Sequence, residues 1–240
     1  MSLHQKHRER LDKKVNEYGM EMLEPHEQLE YLLFAVIPRG DTNALAHRLL
    51  DRFITVGGVI NASIDELMTI DGVGKSTARF LTSMPQLLGI VERSITVAEP
   101  PVLSDPEKIA DFAKTYFYGR LKEAAYLFSL NSSYRLLAVT KISDGAQQET
   151  VVYTSQVVKQ ALNDNASAAI IAHNHPCGKV NPSASDIILT DKLFNCFNMV
   201  DIELFDSIIV SGNNYFSFRE SGHITHDGVE QKIRSGKNGL

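Results

Sequence analysis

Four polar residues between positions 173 and 186 have the types and spacing of a metal site. Seven residues separate the pair His173 and His175 from Ser183, and two more separate Ser183 from Asp186. Two imidazoles and one carboxylate leave the fourth tetrahedral position of a zinc ion to water, which is the ligand set of a catalytic zinc site rather than a structural one. The alternative is a polar loop in which the histidines only satisfy backbone groups.

The elements around these residues are predicted to aim them at one point. The apolar run SAAIIAH predicts a buried central strand that ends at the histidines. Residues i and i+2 of a strand project to the same side, so His173 and His175 share a face and Asn174 is predicted to be only a spacer. Ser183 is the predicted N-cap of the next helix. Asp186 then lies in its first turn, where the helix dipole favours a carboxylate that can point back at the strand end.

The rest of the C-terminal half predicts a mixed α/β fold, with helices covering a largely antiparallel sheet. Ser104 and Glu107 form a predicted capping box before a helix that reaches about Tyr118. Alternating or apolar segments predict strands in EAAYLFSL, RLLAVTKI, ETVVYT, IELFDSIIVSG and YFSFRE. Amphipathic segments predict helices in SQVVKQALNDN and ASDIILTDKLFNCFNMV.

The N-terminal half predicts an all-α domain, because helical periodicity runs from Leu23 to about Val91. Ser63 and Glu66 form a predicted capping box, Gly57-Gly58 are expected to close the helix before it, and Pro85 is expected to kink or shorten the last helix. The pair Pro100-Pro101 predicts an extended connection between domains 1–95 and 103–222. Residues 223–240 show no periodicity and are predicted to form a flexible tail.

The run from His173 to Asp186 resembles the H-x-H, seven residues, S, two residues, D zinc motif of the JAMM (MPN+) metalloproteases. The segment HNHPCG…PSASD is most similar to the corresponding segment of the RadC family, whose members are described as DNA-repair proteins. This resemblance implies a JAMM-type, cytidine-deaminase-like C-terminal domain. It also implies Zn²⁺ bound by the two histidines and Asp186, with Ser183 near the attacking water or the developing oxyanion.

Three places depart from the RadC pattern, and at one of them Lys179-Val180 replaces the usual Asp-Pro. Cys177 stands where such sequences usually have serine, and a thiol beside a metal site is sensitive to oxidation. Ser207 follows Asp206 where the family tends to have histidine, which is expected to remove a hydrogen bond near the metal ligands.

Metal-assisted hydrolysis also needs a proton acceptor about one hydrogen bond from the attacking water. JAMM enzymes use a glutamate from an early strand, and the resemblance of LKEAAYLFSLNS to the RadC segment implies Glu123. Glu149, at the head of a later predicted strand, is the alternative. The contiguous letters HNH do not indicate an HNH nuclease, because in that motif the three residues come from separated parts of the chain.

The segment LMTIDGVGKSTARFL resembles the helix-hairpin-helix motif, whose hairpin backbone holds a DNA phosphate. The resemblance implies phosphate binding by Gly72 and Gly74, which allow a close approach at a helix N-terminus, with further contacts from Lys75 and Arg79. The alternative is a hairpin used only for packing. Residues 1–95 hold 11 Lys and Arg against 13 Asp and Glu, a net charge of −2, so any DNA binding is expected to be weak and salt-dependent.

The composition, 43% hydrophobic and 22% charged, is typical of a globular protein with real cores. No apolar run approaches the roughly 18 residues of a membrane span, and the charged start of the chain has no secretory signal pattern. Two cysteines fit a reducing cytosol, so a cytoplasmic protein is expected.

Two functions follow from these patterns. The first is a zinc-dependent metallohydrolase whose substrate is a peptide or protein, cleaved at a peptide or isopeptide bond. The second is a DNA-associated repair or recombination factor whose zinc domain is a non-catalytic binding module.

Overall fold

A computed structural model of the chain describes residues 3–96, 99–144, 150–176, 178–225 and 228–229. The chain divides into two compact units, residues 1–88 and 89–240. The domain limits expected from the sequence stay a prediction. Within the described ranges, no helix has the length and apolar character that crossing a membrane requires.

The first unit is helical. Its elements are α1 (Leu3–Tyr18), a 3-10 turn (Met20–Met22), α2 (Pro25–Phe34), α3 (Asn43–Phe53), α4 (Val56–Ile60), α5 (Ile64–Met68) and the first part of α6 (Lys75–Thr96). Leucines from α2, α3, α5 and α6 are fully buried together and form its core. Helix α1 was not predicted from its charged sequence. It is held to α2 by a contact of His7 Nε2 with the Glu30 carboxylate at 3.1 Å and by an ion pair of Lys14 with Glu27 at 2.6 Å.

The predicted start of one helix in this unit was confirmed, and the predicted ends of two others were wrong. Ser63 and Glu66 form the predicted capping box of α5. Gly57-Gly58 do not close α3; they lie inside α4, because the Thr55 side chain caps that helix by accepting from the amide of Gly58. Helix α6 is not shortened at Pro85 and continues for 22 residues. An interior proline costs a helix about 3 kcal/mol, and burial of the earlier turns of α6 in the core offsets that cost.

The second unit is a five-stranded mixed sheet with helices on both faces, as the predicted fold class required. Its elements are α7 (Pro106–Phe117), β1 (Ala124–Leu130), β2 (Leu136–Asp144), α8 (Thr150–Asn163), β3 (Ala168–Asn174), α9 (Ala184–Asn198), β4 (Glu203–Ser211), β5 (Asn214–Ser217), β6 (Ile224–Thr225) and β7 (Gly228–Val229). The strand order is β2-β1-β3-β4-β5; β3 and β4 pair in parallel, and the other neighbouring strands of this sheet pair antiparallel. Helix α7 packs on one face, and α8 and α9 pack on the other.

Two predictions in this unit need correction. The segment ETVVYT is not a strand, since Thr150 already opens α8; its β-branched residues favour a strand, but tertiary context overrides such a preference. Asp105, not Ser104, caps α7, because its carboxylate accepts from the amides of Glu107 and Lys108. Ile224 is buried in the core and pairs with Val229, and the predicted tail over residues 223–240 stays a prediction.

Candidate metal centre

Strand β3 is the middle strand of the sheet. It carries His173 and leads directly to His175. Residues 168–172 are buried between the helical layers, and the strand runs out at Asn174. Beyond it the chain is still tied to β4: the His175 amide donates to Val210 at 2.9 Å, and the Ser211 hydroxyl donates to the His175 carbonyl at 2.5 Å. These bonds fix the backbone that carries the second imidazole.

Helix α9 positions the Asp186 carboxylate through its N-terminal cap. The Ser183 hydroxyl accepts a hydrogen bond from the Asp186 amide at 3.2 Å. The Oδ2 atom of Asp186 in turn accepts from the amide and the hydroxyl of Ser183, both at 2.7 Å. This reciprocal capping box fixes the first turn of α9 and the direction of its carboxylate.

The three predicted ligands meet at one point. The Nε2 atoms of His173 and His175 are 3.2 Å apart. His173 Nε2 lies 3.3 Å from Oδ1 of Asp186, and His175 Nε2 lies 3.6 Å from its Oδ2. Zinc bonds of about 2.0–2.1 Å at tetrahedral angles would place neighbouring donor atoms about 3.3 Å apart. The donor types and their spacing therefore fit a tetrahedral metal ion with three protein ligands.

The protonation of these groups also suits a metal. The Nδ1 atom of His175 lies 2.9 Å from the carbonyl oxygen of Lys179, which can only accept, so Nδ1 carries a proton; in the neutral ring this leaves Nε2 free to bind a metal. Burial by itself raises the pKa of Asp186. Hydrogen bonds from His173 and Ser183 outweigh burial and hold that pKa below its usual range. Asp186 is therefore ionised at neutral pH, as a metal ligand must be.

Glu123 lies just before β1, and its side chain is exposed. Ala125 pairs directly with His173, so the two residues lie on the same face of the sheet. If the alternation of β1 continues back by two residues, Glu123 projects to this face as well. The alternative base Glu149 and the departure at Cys177 both lie outside the described residues.

The predicted helix-hairpin-helix segment has the expected local geometry. Residues 69–74 connect α5 to α6, and Gly72 in this connection has a φ of +92°, which favours glycine. The Gly74 carbonyl accepts from the amide of Ala78, the first bond of α6, and Lys75 is exposed at the start of that helix. Arg48 of α3 donates to the Asp71 carbonyl at 3.1 Å and so braces the hairpin.

A family model described as a RadC-like JAB domain matches residues 103–223, and a model of the helix-hairpin-helix motif matches residues 55–79. The chain belongs to the RadC family. A UPF0758 protein of Fusobacterium nucleatum is 34% identical to it, over 92% of this chain and 97% of the relative. UPF0758 proteins of Burkholderia thailandensis and Rhodobacter capsulatus are 32% and 33% identical, over 86% and 85% of this chain and 78% and 95% of the relatives. The resemblance seen in the sequence is thus confirmed, and these names state no reaction.

Asn174 is more than a spacer in this RadC-family chain. Its side chain is only 4% exposed, and both ends of its amide are used. Oδ1 accepts from the Ala124 amide at 2.8 Å, and Nδ2 donates to the Lys122 carbonyl at 3.2 Å. The sequence contained one sign of this role: a polar residue stands on the strand face opposite the histidines, where an apolar residue is expected.

Ser207, where this chain departs from the RadC pattern, has a hydrogen-bond partner in α9. Thr190, one turn beyond Asp186 in α9, donates to the Ser207 hydroxyl at 3.3 Å. The neighbouring Asp206 is fully buried and accepts from the Ser217 hydroxyl at 2.5 Å and the Arg219 amide at 3.0 Å. Burial raises the pKa of Asp206 to about 6, against the lowering effect of these hydrogen bonds. Asp206 in β4 is therefore hydrogen-bonded both to the end of β5 and to the chain just beyond it.

Proposed function

We propose that this RadC-family protein is a zinc-dependent hydrolase that acts on a peptide or isopeptide bond. The observation that carries the proposal is the convergence of two imidazoles and one carboxylate with donor atoms 3.2–3.6 Å apart. Such a set holds a metal ion and leaves one position for water or substrate, whereas a structural zinc site uses four protein ligands. The JAB domain that contains the set supports the same chemistry.

Bound zinc would supply a Lewis acid that polarises the scissile carbonyl and makes the attacking water more acidic. His173 and His175 would bind through Nε2, and the Lys179 carbonyl keeps the second ring in the required tautomer. Asp186 would bind as a carboxylate. Without metal, hydrogen bonds from His173 and Ser183 already hold the pKa of this carboxyl below its usual range, so the charged form is the one that meets the metal.

Glu123 is the proposed general base. Its carboxylate would take the proton of the attacking water and return it to the leaving amine, so that one residue serves both half-reactions. Support comes from its position before β1 and from the direct pairing of Ala125 with His173.

Ser183 has two proposed roles. The bonds described above favour holding Asp186 in place, because the single hydroxyl proton of Ser183 is donated to that carboxylate. Stabilising the developing oxyanion would require the hydroxyl to turn away from Asp186 toward the substrate.

The test combines metal analysis with a hydrolysis screen. The purified chain is stripped with a chelator, reloaded with zinc, and offered a library of internally quenched peptides together with lysine-branched isopeptides. We expect about one zinc per chain, and turnover that chelation abolishes and zinc restores. His175→Ala and Asp186→Ala should lose both metal and turnover. Stoichiometric zinc without cleavage of either substrate class would contradict the proposed reaction.

A second candidate function has its own observation. The helix-hairpin-helix match and the left-handed Gly72 turn favour a DNA-associated factor that contacts phosphates through the hairpin backbone. Titration of duplex DNA with the zinc-loaded chain across salt concentrations tests it. Binding that weakens steeply with salt supports the role, and absence of binding at low salt contradicts it.

A further inference from the structure

We propose that Asn174 is a positioning residue for Glu123: it holds the backbone on both sides of the base and thereby ties the base to the metal ligands. This inference rests on the proposed function, because it assigns Asn174 a purpose only if Glu123 acts on the attacking water. It concerns the same site and adds a residue that contacts neither metal nor substrate.

The two hydrogen bonds of Asn174 reach the two peptide units that flank Glu123. The Lys122 carbonyl belongs to the peptide unit before Glu123, and the Ala124 amide belongs to the unit after it. The φ and ψ angles of Glu123 lie between these two planes. Fixing both planes therefore fixes the direction of the Cα–Cβ bond from which the carboxylate extends.

Ladder pairing alone does not extend to Glu123. Among the described residues, pairing of β1 with β3 begins at Ala125 and His173, and Glu123 precedes the first residue of β1. The amide of Asn174 supplies one acceptor and one donor, as the backbone of a neighbouring strand residue would. The strand geometry is thus carried past the end of the ladder to the residue that needs it.

The position of Asn174 in the sequence links the segment that bears Glu123 directly to the two histidines. It stands between His173 and His175, so one three-residue run carries two metal ligands and the support of a base located about fifty residues earlier. A nearly buried side-chain amide costs free energy unless its donor and acceptor are both paired. Here each is bonded to the segment that bears Glu123. A simpler role, filling two otherwise unpaired backbone groups for stability, predicts different measurements.

The matched control is Asn131, at the other end of β1. Its Oδ1 accepts from the amides of Ser133 and Arg135 at 2.9 and 3.0 Å, so Asn131→Ala also removes two side-chain bonds to the backbone of this sheet. Both variants should lose thermal stability. Only Asn174→Ala should speed hydrogen exchange at the Ala124 amide, by about 3- to 10-fold, as expected for one lost hydrogen bond. Unchanged exchange at Ala124 would overturn the inference whether or not the protein hydrolyses peptides.

Kinetics on the best substrate of the screen separate positioning from stability. Asn174→Ala should lower kcat by about 10- to 100-fold with little change in KM, because a displaced base affects the reaction step. Zinc affinity should stay within about threefold. A fall of about 10- to 100-fold would instead show that Asn174 orients the ligands, which overturns the inference. In the Glu123→Gln background, Asn174→Ala should cost less than about threefold more, since the group it positions is gone. A full, additive loss there would also overturn it.

If the parent cleaves no substrate, the proposed function fails while this inference is still decided. Crystal structures of the zinc-loaded parent and of Asn174→Ala would then be compared. The inference expects the Glu123 carboxylate to point toward the metal in the parent and to be displaced in the variant. An unmoved carboxylate would overturn it.

Discussion

Ser183 and Asp186 hold each other across the first turn of α9. The hydroxyl of Ser183 donates to Oδ2 of Asp186 at 2.7 Å and accepts from the Asp186 amide at 3.2 Å. One serine therefore starts a helix and orients a candidate metal ligand with the same oxygen. The stability of α9 and the geometry of the candidate metal centre are linked through this residue.

Replacing Ser183 by alanine should affect both properties. We expect a loss of about 1 kcal/mol in the free energy of unfolding from the missing cap. We also expect zinc affinity to fall about 10-fold or more, because Asp186 loses the partner that orients it. Chemical denaturation and chelator competition measure the two effects.

The control for this variant is Ser63→Ala, since Ser63 and Glu66 form the same kind of capping box in α5. It should cost similar stability and leave zinc binding unchanged. If Ser183→Ala keeps full zinc affinity and loses only kcat, the hydroxyl acts on the oxyanion and its holding role is minor.

Glu123→Gln should keep zinc and lose turnover. The amide has nearly the shape of the carboxylate but cannot take a proton, so the rate should fall by about 10²- to 10⁴-fold. Metal content by mass spectrometry and turnover on the same peptide decide the matter. Loss of zinc from this variant, or undiminished hydrolysis, would remove Glu123 from the role of base.

The convergence of the candidate metal ligands was predictable from sequence because their geometry is local. Two histidines at i and i+2 share a strand face, and a serine with an acid three residues later caps a helix. Both relations need only the secondary structure. The structure then shows what the sequence pattern did not: the Ser183 hydroxyl donates its hydrogen bond to the Asp186 carboxylate.

The role of Asn174 was missed because it depends on long-range pairing. Its partners lie 50 and 52 residues away, and only the register of β1 against β3 brings them within reach. The strand predicted in ETVVYT failed for a related reason. β-branched residues favour a strand in isolation, but the neighbours that make this segment the start of α8 are not visible in its own letters.

Asp206 should give the protein a distinct pH dependence. Its pKa is raised to about 6 in the folded state, so its protonated form adds stability below pH 4. That stability is lost as pH rises from about 4 through 6, because the unfolded chain gives up the proton more easily. The shift corresponds to about 3 kcal/mol.

The measurement is the difference in unfolding free energy between the parent and Asp206→Asn, at several pH values, by chemical denaturation of zinc-free protein. Titrating groups that the two proteins share cancel in this difference. The parent should become less stable relative to the variant by about 2–3 kcal/mol between pH 4 and pH 7. A difference that does not change with pH would contradict the assignment.

The two hairpin glycines should respond differently to alanine. At Gly72 the φ of +92° is unfavourable for alanine, and an added Cβ would lie 3.2 Å from Arg48 Nη2. Gly72→Ala should therefore cost about 1–3 kcal/mol and disturb the hairpin. At Gly74 an added Cβ meets nothing within 4 Å, so Gly74→Ala should cost less than about 1 kcal/mol.

This contrast separates DNA binding from packing. If the hairpin backbone approaches a phosphate, the methyl group of Gly74→Ala stands in the way, and duplex affinity should fall although stability is nearly kept. Lys75→Ala should weaken binding and reduce the salt slope by about 1. Fluorescence anisotropy across salt concentrations measures both. The hairpin serves packing alone if Gly74→Ala binds DNA as the parent does and Gly72→Ala loses affinity only in proportion to its lost stability. A methyl group placed against a bound phosphate would otherwise weaken the contact by steric clash.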